Sequence, residues 1–265
     1  MDHRIFPGRA FVLFDLGGTL IFDPFPEVLS RLEQDLGAGR IRSPFRANRI
    51  GMFLDDWATV NNEVNFPFAA HFLQEEVFIW QTILRRIEDV DPSVRADLPL
   101  LIAELLLAYR SLAREVVAEQ SHLGMLRKML TGLTDRGVIL GVASNDREYA
   151  TRALLAWAGL APFFRFVFTS EGLSRRYVGA EKPSPVFFEA VKREVGLASG
   201  HAQCYYIGDD EKRDVEAPRA CGVTTIRLLM EAASAKSWVD DPPRSAADHV
   251  VRSLDELAHL FRRIL

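Results

Sequence analysis

Apolar residues in this chain follow two different spacings, and the change of spacing divides it. The run from Ala10 to Phe14, the segment GVILGVAS at 137–144 and the segment CYYIG at 204–208 are continuous apolar stretches of strand length. Continuity rather than alternation predicts strands buried on both faces, as in a parallel sheet, and from about residue 120 onward such strands alternate with helical stretches. Residues 23–119 differ. PEVLSRLEQDL (26–36), AAHFLQEEVFIWQTILRRIEDV (69–90) and DLPLLIAELLLAYRSLAREVV (97–117) place apolar side chains three and four apart, which predicts helices with one buried stripe, and no convincing strand interrupts them. An α/β core in two pieces, residues 1–22 and 120–265, is therefore expected to carry an all-helical insertion, residues 23–119. The linkers fall near Asp23-Pro24 and near Ser121 to Gly124.

The polar residues that end the strands supply the candidate chemistry. Asp15 follows the first strand directly, at the carboxyl end where open α/β sheets bind ligands. Gly17 and Gly18 permit a sharp turn that brings backbone amides near an anion, although an aspartate before two glycines also fits a simple turn. Ser144 and Asn145 end the second strand and form a pair able to hydrogen-bond a phosphoryl oxygen. Lys182 precedes Pro183 at the lead-in to a helix, where an ammonium neutralises oxygens held near the helix N-terminus. The third strand delivers Asp209, Asp210 and, four residues after Asp210, Asp214.

Composition narrows the partners more than the chemistry. With 265 residues, 48% of them hydrophobic, the chain is long enough for one large core and a satellite domain, and its net charge of −4 offers no basic excess for nucleic acid or an anionic membrane. MDHRIFPGRA holds no long apolar stretch, so neither a signal peptide nor a transmembrane helix is expected, and a cytoplasmic setting follows by default. Cys204 and Cys221 fit no metal spacing and are expected to be small buried apolar residues. Arg40, Arg42, Arg46 and Arg49 form either a solvated helix face or a grip on a second anionic group of a substrate. Arg175 and Arg176 belong either to a flap over the site or to an exposed loop. The oligomeric state is not encoded in any of these features.

Taken in order, FDLGGTL (14–20), ASN (143–145), EKPSP (181–185) and GDDEKRD (208–214) resemble the four motifs of the haloacid dehalogenase-like hydrolase superfamily, in its phosphatase-like branch with a helical cap after the first motif. The resemblance runs from about residue 10 to ADHVVRSLDEL, which is similar to the family's last strand and closing helix. It implies a Rossmann-like doubly wound parallel sheet, with residues 23–119 as a cap that closes over the site and selects substrates. It implies Asp15 as a nucleophile toward phosphorus, Ser144 and Lys182 on the transferring phosphoryl oxygens, and Gly18, Thr19 and Asn145 in substrate binding. It also implies Mg²⁺ held by Asp15, Asp209 and the backbone carbonyl of Gly17. Asp214 then supports Lys182 or its loop, and Asp210 is either an outer partner of the metal or a solvated turn residue. The chemistry is coherent: a carboxylate is already deprotonated at neutral pH, so it needs charge neutralisation rather than a base, and a hard divalent cation with oxygen ligands provides it. The implied partner is a small phosphorylated metabolite.

One position departs from the family. Gly17 stands where most of its phosphatases carry a second Asp, which protonates the leaving oxygen and later activates water against the phosphoaspartate. Glycine does neither, a loss of about 10²- to 10⁴-fold unless another group substitutes. Asp210, Glu211 and, in the insertion, His71, Glu75 and Glu76 are the candidate substitutes, with an ordinary surface histidine as the plainer account of His71. The alternative function is a weakened or inactive protein that binds a phosphorylated ligand or a protein partner, against which the retained nucleophile and metal set argue. Dehalogenation ranks lower, since a metal-free reaction leaves the acidic cluster unexplained. Phosphonate hydrolysis needs a cap lysine, and the first lysine here is Lys128, beyond the insertion; phosphosugar mutation needs the missing Asp.

Overall fold

The structure is a computed structural model that describes residues 10–42, 97–196, 203–230 and 245–265. Its strands are β1 (Phe11–Phe14), β2 (Ile139–Ser144), β3 (Phe166–Thr169), β4 (Cys204–Gly208), β5 (Thr224–Leu228) and β6 (His249–Val251). They form one parallel sheet in the order β3-β2-β1-β4-β5-β6. The chain builds outward from β1 through β2 to β3, then returns to lay β4 on the other side of β1. Connections leaving β1 and β4 therefore diverge, and the crevice this opens at their carboxyl ends is where such sheets bind ligands. Register fixes the level of that crevice: Phe14, the last residue of β1, pairs with Val142 of β2 and Ile207 of β4.

Helices cover both faces, because strands apolar on both sides must be buried on both sides. Successive residues of β1 point to opposite faces and build separate cores. Val12 and Phe14 pack with Leu126, Leu130 and Leu133 of α3 (Leu123–Asp135) and with Leu257 and Phe261 of α8 (Leu254–Ile264). Phe11 and Leu13 pack with Phe187, Phe188 and Val191 of α6 (Pro185–Glu194). Full burial of such a side chain contributes roughly 1.5–3 kcal/mol, which makes the central strand the most tightly anchored element. Between these run α4 (Glu148–Trp157), the short α5 (Ser170–Ser174) and α7 (Ala217–Ala220), the last preceded by a π-helical turn, Glu211–Glu216.

The chain divides into two compact units, Met1–Asp23 with Val117–Leu265, and Pro24–Val116. In the second, α1 (Phe25–Gly37) buries Val28 and Leu32 and α2 (Leu98–Ala118) buries Leu101 and Leu105, each pair one helical turn apart as the sequence spacing predicts. Arg42 forks onto Glu104 at 2.7 and 3.2 Å and Arg40 binds Asp35 at 2.7 Å. These are exposed ion pairs that solvent and salt screen, so the solvated-face account fits both. Arg46, Arg49, the expected helix at 69–90 and the candidate acids His71, Glu75 and Glu76 lie outside the described residues.

The two linkers are tied side by side within the first unit. The Gln120 amide accepts from the Phe22 N–H at 3.0 Å and donates to the Phe22 carbonyl at 2.8 Å. His122 places Nε2 3.0 Å from the Leu20 carbonyl and lays its ring 4.1 Å from that of Phe22. Burial lowers the His122 pKa against the opposing pull of that carbonyl, so the imidazole is neutral and Nε2 carries the donated proton. Both cysteines carry free thiols, with Cys221 buried and Cys204 half-buried, and burial pushes them up to about 12 at Cys204 and about 11 at Cys221, which keeps both unreactive as the sequence predicts. None of the described helices is long and apolar enough to cross a membrane.

Candidate active site

Asp15 leaves β1 with its amide donating to the Ile207 carbonyl of β4 at 2.7 Å, so the ladder fixes its backbone one residue beyond the strand. Its carboxyl group is buried. Lys182, only 4% exposed, donates from Nζ to Asp15 Oδ1 at 2.6 Å, to Asp214 Oδ1 at 2.8 Å and to the Tyr206 hydroxyl at 2.9 Å. An ammonium has three protons, and all three are used. Tyr206 in turn donates to the Ala143 carbonyl at 2.9 Å. Groups from β1, β4 and the π-helical turn thus converge on the Lys182 ammonium, with Ala143 of β2 holding Tyr206 from behind.

The Lys182 backbone is held as firmly as its side chain. Asn145 accepts from the Lys182 N–H and donates to the Lys182 carbonyl, both at 2.8 Å. These bonds use one of the two Asn145 amide protons to aim the lysine and leave the second for a ligand oxygen. Ser184 caps the helix that follows and Pro185 occupies its first turn, so α6 starts at a fixed distance from Lys182. Ser144, at the end of β2, exchanges hydrogen bonds with Asp146, donating to Oδ2 at 3.3 Å and accepting the amide at 3.1 Å. The Thr19 hydroxyl is buried and meets no hydrogen-bond partner among the described residues.

Carboxylate oxygens of Asp15, Asp209 and Asp214 lie within 4.8 Å of one another. Gly18 makes this possible: its φ is +77°, and a Cβ there would stand 2.5 Å from Asp209 Oδ2, so only glycine allows the turn to pack on that carboxylate. Burial raises the Asp15 pKa to about 7, with Lys182 pulling it down and Asp214 and Asp209 adding to the rise. Burial alone would lower Lys182, but the Asp15 and Asp214 carboxylates outweigh it and hold the ammonium charged. Three carboxylates and one ammonium thus meet at the carboxyl ends of β1 and β4. Oxygen donors at this separation suit a hard cation.

Gly208, the last residue of β4, is pressed against the Asp214 side chain: an added Cβ would overlap Asp214 Cβ and its carboxyl group. Gly208→Ala should therefore destabilise the fold by about 1–3 kcal/mol and displace the residue that anchors Lys182. Thermal unfolding of the variant tests this, and an unchanged melting temperature would show that Asp214 can move aside.

Two candidate replacement acids are engaged elsewhere. Asp210 caps the π-helical turn, accepting the Arg213 amide and guanidinium at 2.8 Å each. Although burial opposes it, these bonds hold its carboxyl below the usual range, so it is ionised and not a proton donor. It serves as the N-terminal cap of that turn. Glu211 receives Arg227 at 2.8 Å, the Ser245 hydroxyl at 2.7 Å and the Ala246 amide at 2.6 Å. Gly17 itself is exposed, has no left-handed φ, and has nothing within 4 Å of an added Cβ. Arg175 and Arg176 pair with Glu171 and Glu194 at 3.0 Å as exposed side chains.

Two residues are missing from the sequence-based site. Tyr206 sits within an apolar run and has no local mark to distinguish it from a core aromatic. Arg227 does have one: a charge inside the strand TTIRL, 3% exposed, requires a buried partner. Its Nε donates to the Asp209 carbonyl at 3.0 Å, so β5 braces the residue that ends β4.

A family model described as haloacid dehalogenase-like hydrolase matches residues 11–222. No curated protein matches the sequence significantly. Among solved structures, L-2-haloacid dehalogenase from Xanthobacter autotrophicus is 19% identical with a TM-score of 0.56, over 97% of this chain and 100% of that one. The magnesium-bound YfnB of Bacillus subtilis, described as a HAD-hydrolase, is 18% identical with a TM-score of 0.53, over 95% and 98%. A HAD family hydrolase from Deinococcus radiodurans R1 with bound phosphate and sodium is 19% identical with a TM-score of 0.50, over 96% of each chain. At these identities the likeness speaks for the fold.

Proposed function

The chain belongs to the haloacid dehalogenase-like hydrolase family, and from that premise we propose that it is a magnesium-dependent phosphomonoesterase that acts on a small phosphorylated metabolite through a phosphoaspartate at Asp15. The observation that carries this reading is the pairing of a buried Asp15 with Lys182 inside a cluster of three carboxylates. A nucleophile for carbon needs no such cluster; an attack on a phosphate dianion does.

Asp15, Asp209 and the Gly17 carbonyl would hold the metal. Asp214, whose oxygens accept from Lys182 and from the Asp210 amide, would support the lysine instead. Bound Mg²⁺ supplies neutralisation of the carboxylates and of the phosphate oxygens. Lys182 occupies Asp15 Oδ1, which leaves Oδ2 as the attacking oxygen and places a fixed ammonium beside the charge that develops on the phosphoryl group. Ser144, at the carboxyl end of β2, contributes a hydroxyl from the other side of β1. The helical insertion at 23–119 acts as the substrate-selecting cap, and the setting is cytoplasmic.

A metabolite phosphatase panel with and without Mg²⁺, run on wild type and Asp15→Asn, tests the reading. Turnover should require Mg²⁺ and vanish in the variant. Metal binding must also displace the Asp15 proton, so calorimetric Mg²⁺ affinity should rise about tenfold per pH unit below pH about 7 and level off above it, a slope that Asp15→Asn abolishes. Metal-independent release of halide from a 2-haloacid, with no phosphatase activity, would instead assign the same nucleophile to carbon.

A further inference from the structure

We propose that Asp15 takes its phosphoryl group from acyl phosphates, the mixed anhydrides of carboxylic and phosphoric acids, and holds it as a phosphoaspartate that outlives the transfer. This rests on the phosphoaspartate chemistry of that reading and moves the preferred substrate of the same site from phosphomonoesters to mixed anhydrides. In the first half-reaction, an Asp15 Oδ2 lone pair forms the new O–P bond while the P–O bond to the leaving group breaks, and the leaving oxygen takes that electron pair. An alkoxide cannot leave without a proton. A carboxylate can, because its conjugate acid has a pKa of about 4.

The site is built for the second kind of leaving group. Among the described residues, Gly17 offers open space and no proton, Asp210 is engaged by the Arg213 amide and guanidinium, and Glu211 is bound by Arg227, Ser245 and Ala246. The absence acts twice. In the second half-reaction, water must attack phosphorus, break the Asp15 O–P bond and pass a proton to a base, and the same open position supplies none. Formation from an acyl phosphate therefore keeps its rate, whereas hydrolysis of the phosphoaspartate loses about 10²- to 10⁴-fold.

The test uses the full chain with Mg²⁺ and either acetyl phosphate or glycerol 3-phosphate, read by intact mass. Acetyl phosphate should add one phosphoryl group that persists after the donor is removed, is released by hydroxylamine and does not form in Asp15→Asn. Glycerol 3-phosphate should add none. Gly17→Asp should form the same adduct and lose it about 10²-fold faster, with its melting temperature recorded to show that it is folded. Hydrolysis of both donors at similar rates with no adduct overturns the inference while leaving the phosphatase reading in place, with an acid supplied from elsewhere. Turnover of acetyl phosphate alone without a detectable adduct overturns the persistence. Neither adduct nor hydrolysis with any phosphate overturns both.

Discussion

Replacing Lys182 with methionine should destabilise the protein by about 3–5 kcal/mol at neutral pH, because the change removes the one cation from between two buried carboxylates and leaves them uncompensated. The loss should shrink in acid. Burial already raises Asp15 from 3.8 to about 7, and without the Lys182 charge that opposes the rise Asp15 moves further up. A raised carboxyl binds a proton in the folded state before it does so unfolded. Its contribution is therefore intact below the unfolded value near 3.8 and is lost as pH climbs through the folded value, about 7 or above in the variant. Urea unfolding at pH 5 and pH 8 measures the difference, with the larger penalty at pH 8. Equal penalties at both would mean that Lys182 contributes packing rather than charge. Activity should fall as well, by about 10²- to 10³-fold, the scale of losing one preorganised electrostatic contact to the reacting group.

Gly17→Asp should raise alkyl-phosphate hydrolysis by up to about 10²-fold, since it restores the acid/base carboxyl at the family's usual position. Glycine can be required by a left-handed backbone or by crowding, and neither applies here: Gly17 lies outside the left-handed region and an added Cβ meets nothing within 4 Å. The substitution should change stability by no more than about 0.5 kcal/mol, as expected of an unstrained surface position. The neighbouring glycine behaves in the opposite way. Gly18, with φ +77° against the Asp209 carboxylate, would not accept the same change. Rate and melting temperature measured on one Gly17→Asp preparation separate chemistry from folding. A well-folded variant that binds Mg²⁺ yet gains nothing on any alkyl phosphate would move the assignment to a phosphorylated-ligand binding protein.

The strand ends were legible because a parallel sheet writes them plainly: an apolar run, then a polar residue at the level of the crevice. Asp15, Ser144 and Asp209 all follow that rule, and their place at the carboxyl edge needed no structure to infer. The departure at Gly17 was equally visible, since a missing side chain is a local fact. The helical spacing of 26–36 and 97–117 likewise predicted α1 and α2.

Only the tertiary structure decided what each polar side chain does. Lys182 meets Asp15 across 167 residues, Asp214 across 32 and Asn145 across 37, and the Asn145 amide could as well have faced a ligand as a backbone. Asp210 and Glu211 carry the same charge in adjacent positions, yet one caps a helical turn and the other answers a buried arginine. The physical reason is that period and burial depend on neighbours along the chain, which the sequence contains. Hydrogen-bond and charge partners are instead set by which strand lies beside which, and the order β3-β2-β1-β4-β5-β6 exists only after the chain has folded.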